Sequence, residues 1–378
     1  MANTITNVLP KLLAQGLMAL RQQAIMPRLV NRSYENLASQ KGNAINIPIP
    51  SAINAESVTP SHAWSTVTSF APTVAVVTLD FWREAKFHLS DSDVKSVMDG
   101  TIPMQASEAI KALANAIDSY ILGKHIGIYG AAGTAGTTPF ATSITEGGTS
   151  SRTLLNKQLA PMDNRRAVLD PTAEGQFLAL SNIIQVDQRG DQGGIINGTI
   201  GRKLGIDWYM DQNVPTYTPG TAWATGWTAA ASSTVGLATL SLLNSTAAGT
   251  VNAGDIFTIA GASQQYVVTA AATVASSAVT VLIDPPLVSA VATAAAITVV
   301  GTAYTANLVF HRDAFAWASR PLADIQGLGN NMMSAIDPVS GIALRLEMSR
   351  AYKQTIFSYD VLGGAALVRP ELAVKLLG

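Results

Sequence analysis

The chain has 378 residues, 48% of them apolar and 13% charged, with 24 Lys and Arg against 25 Asp and Glu for a net charge of −1. At ~150 residues per domain this allows two to three domains, and a charge content well under the ~25% of an ordinary soluble chain excludes a disordered, solvating polymer. Near-neutrality argues against a general nucleic-acid coat and for surface hidden between copies, and the absence of cysteine removes disulfides, thiolate metal sites and cysteine nucleophiles.

Residues 1–42 form a basic arm, with Lys11, Arg21, Arg28, Arg32 and Lys41 against Glu35 alone. Leu9, Leu12, Leu13, Leu17, Leu20 and Ile25 fall near helical spacing, and Pro27 predicts an interruption, hence two short helices. At residues 1–10 no basic segment precedes an apolar run, so no secretory signal is expected and the protein is expected in the cytoplasm. From Asn43 the period becomes two: Ile45, Ile47 and Ile49 alternate with Asn46, Pro48 and Pro50, an edge-type strand. Residues 73–89 read as its return strand, with Val74, Val76 and Trp82 on one face and Val77, Leu79 and Phe81 on the other. The Ser/Thr/Ala/Pro-rich stretch 51–72 between them, which includes Trp64, predicts a projecting loop whose partner lies on another molecule.

Thr101 and Pro103 start a helix whose stripe Ala106, Ile110, Leu113, Ile117, Tyr120 and Ile121 runs to about Gly127. Such a helix is ~37 Å long. The Gly/Thr/Ala cluster 130–151 reads as a flexible loop, followed by a strand at 166–169, a helix near 172–184, glycine-rich turns and a strand at 204–210. Residues 204–311 then contain no Lys or Arg, and between Pro219 and Ala306 the only charges are Asp255 and Asp284. Short strands at 254–260, 265–269, 278–283 and 296–300 predict an inserted all-β module, a small barrel or sandwich. Its most apolar window, 287–300, is shorter than the ~18 residues that cross a bilayer, so no membrane span is expected. Strands at 308–310, 341–353, 355–359 and 365–368 resume the mixed structure.

Nothing in the chain nominates chemistry. His62, His88, His125 and His311 lack metal-ligand spacing, and no GxSxG, Walker or GxGxxG pattern occurs. Asp91, Asp93 and Asp99-Gly100 sketch a calcium loop, but Lys95 stands where an oxygen ligand belongs and the closing Glu is missing. Arg189-Gly190-Asp191 reads as a solvated turn, and Trp208, Trp223, Trp227 and Trp317 as packing residues, since no basic residues interleave around Trp223 and Trp227. No catalytic residue, cofactor or metal site is predicted, and the chain reads as a non-enzyme.

The order of these parts, with the strings 201–207 (GRKLGID) and Asn213-Val214-Pro215, the run 308–315 (LVFHRDAF), and the closing 360–364 (DVLGG) and 368–373 (VRPELA), resembles the major capsid (coat) protein of tailed double-stranded-DNA bacteriophages. The resemblance is to the branch with an insertion domain, as in podovirus coat proteins. It implies an α+β tailed-phage/herpesvirus-type capsid fold: N-terminal arm 1–42, extended loop 43–90, peripheral domain with its spine helix 91–159, a mixed axial and peripheral domain 160–217 and 307–378, and an inserted β-barrel-like domain 218–306. It also implies hexamers and pentamers of this chain in an icosahedral shell around the genome, made in the host bacterial cytoplasm. The implied partners are a separate scaffolding protein, a portal, a decoration protein, and packaged DNA met by non-specific contact. Arg21, Arg28 and Arg32 on the arm and Pro48, Pro50, Trp64 and Trp82 on the extended loop are the candidate assembly contacts. Two other readings stand beside it: a bacterial compartment shell of the encapsulin type, and an exported β-rich surface-layer or adhesin protein.

Overall fold

The computed structural model describes residues 9–34, 43–50, 73–91, 101–185, 198, 200–223, 226–245, 248–323 and 331–378. Trp64 with the loop 51–72, most of the Asp91–Gly100 segment and Arg189-Gly190-Asp191 lie outside the described residues. None of the helices among the described residues is long and apolar enough to cross a membrane.

The arm holds the two expected helices, α1 (Leu9–Gln23) and α2 (Met26–Leu29), with Pro27 in the first turn of α2, where its missing N–H breaks no helical bond. Leu12, Leu13, Leu20, Met26 and Leu29 are buried in the main core, so the arm is docked on its own body. β1 (Ala44–Ile49) and β2 (Thr73–Thr78) form a two-stranded antiparallel ribbon with Pro48 opposite Val74. The expected single return strand is in fact two strands. After Leu79 and Asp80 the chain changes partners, and β3 (Phe81–Ser90) enters another sheet. Val77, Leu79 and Phe81 are all buried, so the period of two runs unbroken through the switch and carries no mark of it.

α3 (Thr101–Leu122) continues as a 3-10 turn over Gly123–Gly127 and buries Ala106, Ile110, Leu113, Ile117 and Ile121. The ring of Tyr120 packs 4.6 Å from Phe81 and 6.4 Å from Trp317, which fixes the helix against the sheet that β3 has joined. The small-residue cluster that follows departs from the expected loop. β4 (Gly130–Gly133) is a largely buried strand parallel to the last strand of the fold. A Cβ at Gly130 would lie 2.7 Å from Gln158 Nε2, so the small residues serve close packing.

α4 (Ser150–Lys157) leads to β5 (Arg165–Leu169). Asp170 then caps α5 (Pro171–Ala179) through its side chain, which accepts from the backbone N–H of Thr172 at 3.0 Å. The predicted helix breaks at Leu180, whose extended ψ separates off α6 (Ser181–Ile184). The predicted strand at 204–210 begins two residues late, because Leu204 and Gly205 take φ of +55° and +76° in a tight turn between β6 (Arg202–Lys203) and β7 (Ile206–Met210). Phe140 stacks on Phe177, and Trp208 of β7 packs on both, edge-on to Phe140 and tilted to Phe177. β8 (Thr216–Tyr217) follows β7.

The charge-poor stretch folds as β9 (Thr228–Ala229), β10 (Thr239–Leu243), β11 (Thr250–Val251), β12 (Ile256–Ile259), β13 (Gln265–Val268), β14 (Ala272–Thr273), β15 (Ala278–Asp284) and β16 (Ile297–Val299). Six of these form one sheet in the order β16-β12-β13-β15-β10-β9. Its two ends meet: Thr228 bridges Ala296, Ile297 N–H donates to the Trp227 carbonyl at 2.9 Å, and Ala229 N–H donates to the Ala295 carbonyl at 2.9 Å. The sheet is therefore a closed barrel around Trp227, Leu240, Leu242, Phe257, Tyr266 and Val281, a core separate from the main one. β10, absent from the sequence reading, alternates Leu240 and Leu242 inward with Thr239, Ser241 and Leu243 outward.

β17 (Tyr304–His311), β18 (Phe315–Ser319), β19 (Asn331–Ile336), β20 (Ala343–Ala351), β21 (Gln354–Leu367) and β22 (Ala373–Leu377) complete two sheets. One runs β4-β22-β17-β5-β7-β6, with β8 also on β17; the other runs β18-β21-β20-β19, with β3 on β21. Residues 307–378 thus divide between both sheets. The strands expected at 355–359 and 365–368 are one strand of 14 residues that passes through Gly363-Gly364. There a Cβ on Gly364 would overlap the Thr78 carbonyl oxygen and one on Gly363 the Trp317 ring, so the glycines mark where the ribbon and the core press on a strand, not where it ends.

Candidate assembly surfaces

Arg166 Nη1 donates to the carbonyls of Arg28 and Leu29, and Arg312 Nε donates to Val30 at 3.5 Å, so guanidinium groups hold the carbonyl end of α2. Asn31 continues the attachment, its N–H bonded to the Phe315 carbonyl at 3.0 Å and its carbonyl to Trp317 N–H at 2.9 Å. Arg28 is exposed, with Nε on the Ala24 carbonyl at 2.9 Å, and Arg32 is half-buried. Arg21 lies in α1. Arg166 and Arg312, two anchoring residues the sequence reading did not single out, therefore hold the backbone carbonyls from Arg28 to Val30.

The ribbon has two unlike faces. Ile45, Ile47 and Val77 pack with Leu79, Ala316, Ala318 and Val368 in a small core of their own. On the other face Asn46, Pro48, Val74 and Val76 are exposed, the two valines at 55% and 47%. Asn46 faces Val76 and Pro48 faces Val74, so these four residues form one continuous patch. Pro50, also exposed, follows just beyond β1. Trp82 is 61% exposed on β3, a separate element, opposite Leu362. The structure thus joins Pro48 to an apolar patch and leaves Trp82 and the arm arginines apart from it.

The barrel meets the seven-stranded sheet through a buried apolar cluster that includes Tyr129, Tyr217, Ile256 and Val267, with a few polar and charged groups beside it. Asp255, 1% exposed, accepts from Tyr217 Oη at 2.8 Å, Trp223 Nε1 at 2.6 Å, Asn252 N–H at 2.7 Å and Gly220 N–H at 3.2 Å, tying the chain entering the barrel to the turn before β12. Gln265 on β13 bonds both backbone groups of Ala131 on β4, at 2.6 and 2.9 Å. Lys375, fully buried on β22, reaches the Gly254 carbonyl at 3.3 Å and lies 5.6 Å from the centre of the Tyr217 ring. Burial pulls its pKa down to about 7 against the opposing pull of Asp255, and burial with Lys375 nearby brings His125 down to about 4. Burial, reinforced by Asp255, pushes the Tyr217 hydroxyl well above its ordinary range. Asp255, one of only two charges in this run, was the sequence signal for this junction; Lys375 gave none.

No protein-family description and no curated protein matches the sequence. Among solved structures, a chain from Mycobacterium phage Che8 is similar at 16% identity and a TM-score of 0.55, over 94% of this chain and 91% of that one. A chain in the asymmetric unit of the bacteriophage PhiM1 mature capsid is 12% identical with a TM-score of 0.48, over 89% and 82%. The Che8 likeness shows a common fold over nearly the whole of both chains. That fold is the α+β tailed-phage capsid fold which the resemblance implied.

Proposed function

We propose that this chain is the major capsid subunit of a tailed double-stranded-DNA bacteriophage, assembling as hexamers and pentamers of an icosahedral shell that encloses the genome. The observation that carries the reading is the ribbon: a two-stranded sheet, marginal on its own, whose outer face keeps Pro48, Val74 and Val76 in water within a fold shared with a phage protein. A neighbouring copy covers that face in the shell. At ~25 cal/mol per Å² the apolar area of a few such residues stabilises one contact by only a few kcal/mol, so the shell closes through many weak contacts. The docked arm supports a further part of the reading: it offers Arg28 on the surface to a separate scaffolding chain. A portal, a decoration protein and non-specific contact with packaged DNA complete the partners, in a virion built in the host cytoplasm.

The test is negative-stain electron microscopy of the protein co-expressed with the neighbours of its gene. Closed, uniform shells are expected. Monomers or flat open sheets would overturn the reading, and shells filled with a co-purifying enzyme would replace it with a compartment shell.

A further inference from the structure

Helix α4 closes in a Schellman cap: Ala160 N–H donates to the Leu155 carbonyl at 2.9 Å, and Leu159 N–H donates to the Asn156 carbonyl at 3.1 Å. Leu155 and Ala160 are both buried in the main core, the apolar contact that accompanies such a cap. The residue just past the cap is the one that turns left-handed, and glycine is the usual choice there because a Cβ is disfavoured. Here it is Leu159, with φ of +60°. Its side chain is 88% exposed, more than any other large apolar residue among the described residues, and Met162 is 69% exposed three residues on. The Leu159 side chain therefore strains its own backbone and packs on nothing in its own subunit.

The loop that carries these two residues is held in place. Arg165, 3% exposed, donates from Nη2 to the Ala160 carbonyl at 2.7 Å and from Nε to the Pro161 carbonyl at 2.6 Å. Arg312 N–H donates to the Asn164 carbonyl at 3.2 Å. With its backbone fixed before any partner arrives, the loop loses little conformational freedom on contact. We infer that Leu159 and Met162 form a preset apolar knob that seats on a second copy of this chain in the assembled shell. Two side chains are far fewer than the ~20–30 residues a side of a stable two-body interface. The knob therefore suits a contact repeated around a ring or shell of like copies, where closure multiplies it. A net charge of −1 sets little repulsion against such a copy. The inference rests on the capsid reading and adds to it a contact built on elements other than the ribbon.

The experiment uses the full chain co-expressed with the neighbours of its gene, with the photoreactive amino acid p-benzoylphenylalanine in place of Leu159. Irradiated particles are expected to yield an adduct of two copies of this chain, identified by mass spectrometry. Particles that give an adduct with a different chain, or none, overturn the inference and leave the capsid reading standing; a wild type that forms no particles overturns both. Leu159→Gly is the second arm, and it decides the matter if the bulky probe itself blocks assembly. Glycine suits the left-handed position, so the free variant is expected to melt no lower than wild type, while the share of chain in particles, read by sedimentation velocity, falls several-fold. A lower melting temperature would mean that the side chain serves its own subunit, and an unchanged share in particles would mean that no copy contacts it; either result overturns the inference.

Discussion

The barrel and the ribbon are both antiparallel β-structure built from short alternating strands, yet they leave their surfaces in opposite states. The barrel joins its first and last strands through Thr228 and Ala296, so the main sheet has no free edge there, and it keeps a core of its own. The ribbon has two strands, a small core on one face and exposed valines on the other. The first element is finished within the subunit; the second, on the proposed reading, is completed by another copy. Low charge, which the whole chain shows, therefore does not by itself set the ribbon apart: the barrel region is the poorest in charge and has its end strands paired.

The most severe way to break this contrast is to charge the ribbon. Val74→Asp with Val76→Asp is expected to abolish shells in sedimentation, while the melting temperature of the subunit hardly moves, because exposed substitutions change stability by within ~0.5 kcal/mol. Loss of folding in this variant would mean that the patch serves the subunit itself. Next comes the barrel anchor. Asp255→Ala leaves the donors of Gly220, Trp223 and Asn252 without their acceptor, while Tyr217 keeps the Ala253 carbonyl, and is expected to cost about 3 kcal/mol in urea unfolding; a much smaller loss would show the barrel docked mainly by apolar contact. The smallest effect is a pH slope. Lys375 is lowered to about 7 in the folded chain, so between that pH and its unfolded pKa near ~10.4 the unfolded chain binds a proton that the folded chain does not. Stability therefore rises with pH across this window, by at most about 1.4 kcal/mol per pH unit, and levels off below it. Lys375→Met is expected to flatten the slope, and an unchanged slope would place its origin elsewhere.

What was legible in the sequence was what local periodicity encodes. The helices around Pro27, the stripe of α3 and most of the longer barrel strands repeat at 3.6 or 2 residues and fold as read. What escaped was set by neighbours distant in sequence. β22 is buried along its whole length, Lys375 included, so it never alternates. Gly130 and Gly363-Gly364 look like breaks but answer to Gln158, Trp317 and Thr78 pressing from other elements. The same holds for the sites. Pro48 was visible as an outward residue of an edge strand, whereas Asp118, which accepts from the Ile25 and Met26 N–H groups at the arm kink, lies off the α3 stripe and carried no mark in the sequence.

Hydrogen–deuterium exchange of residues 44–49 and 73–78, in assembled particles against free subunits, tests the central claim most directly. The account predicts slow exchange of the ribbon in particles and fast exchange in subunits, as a neighbouring copy covers the face bearing Val74 and Val76. Equal exchange in the two states would contradict it.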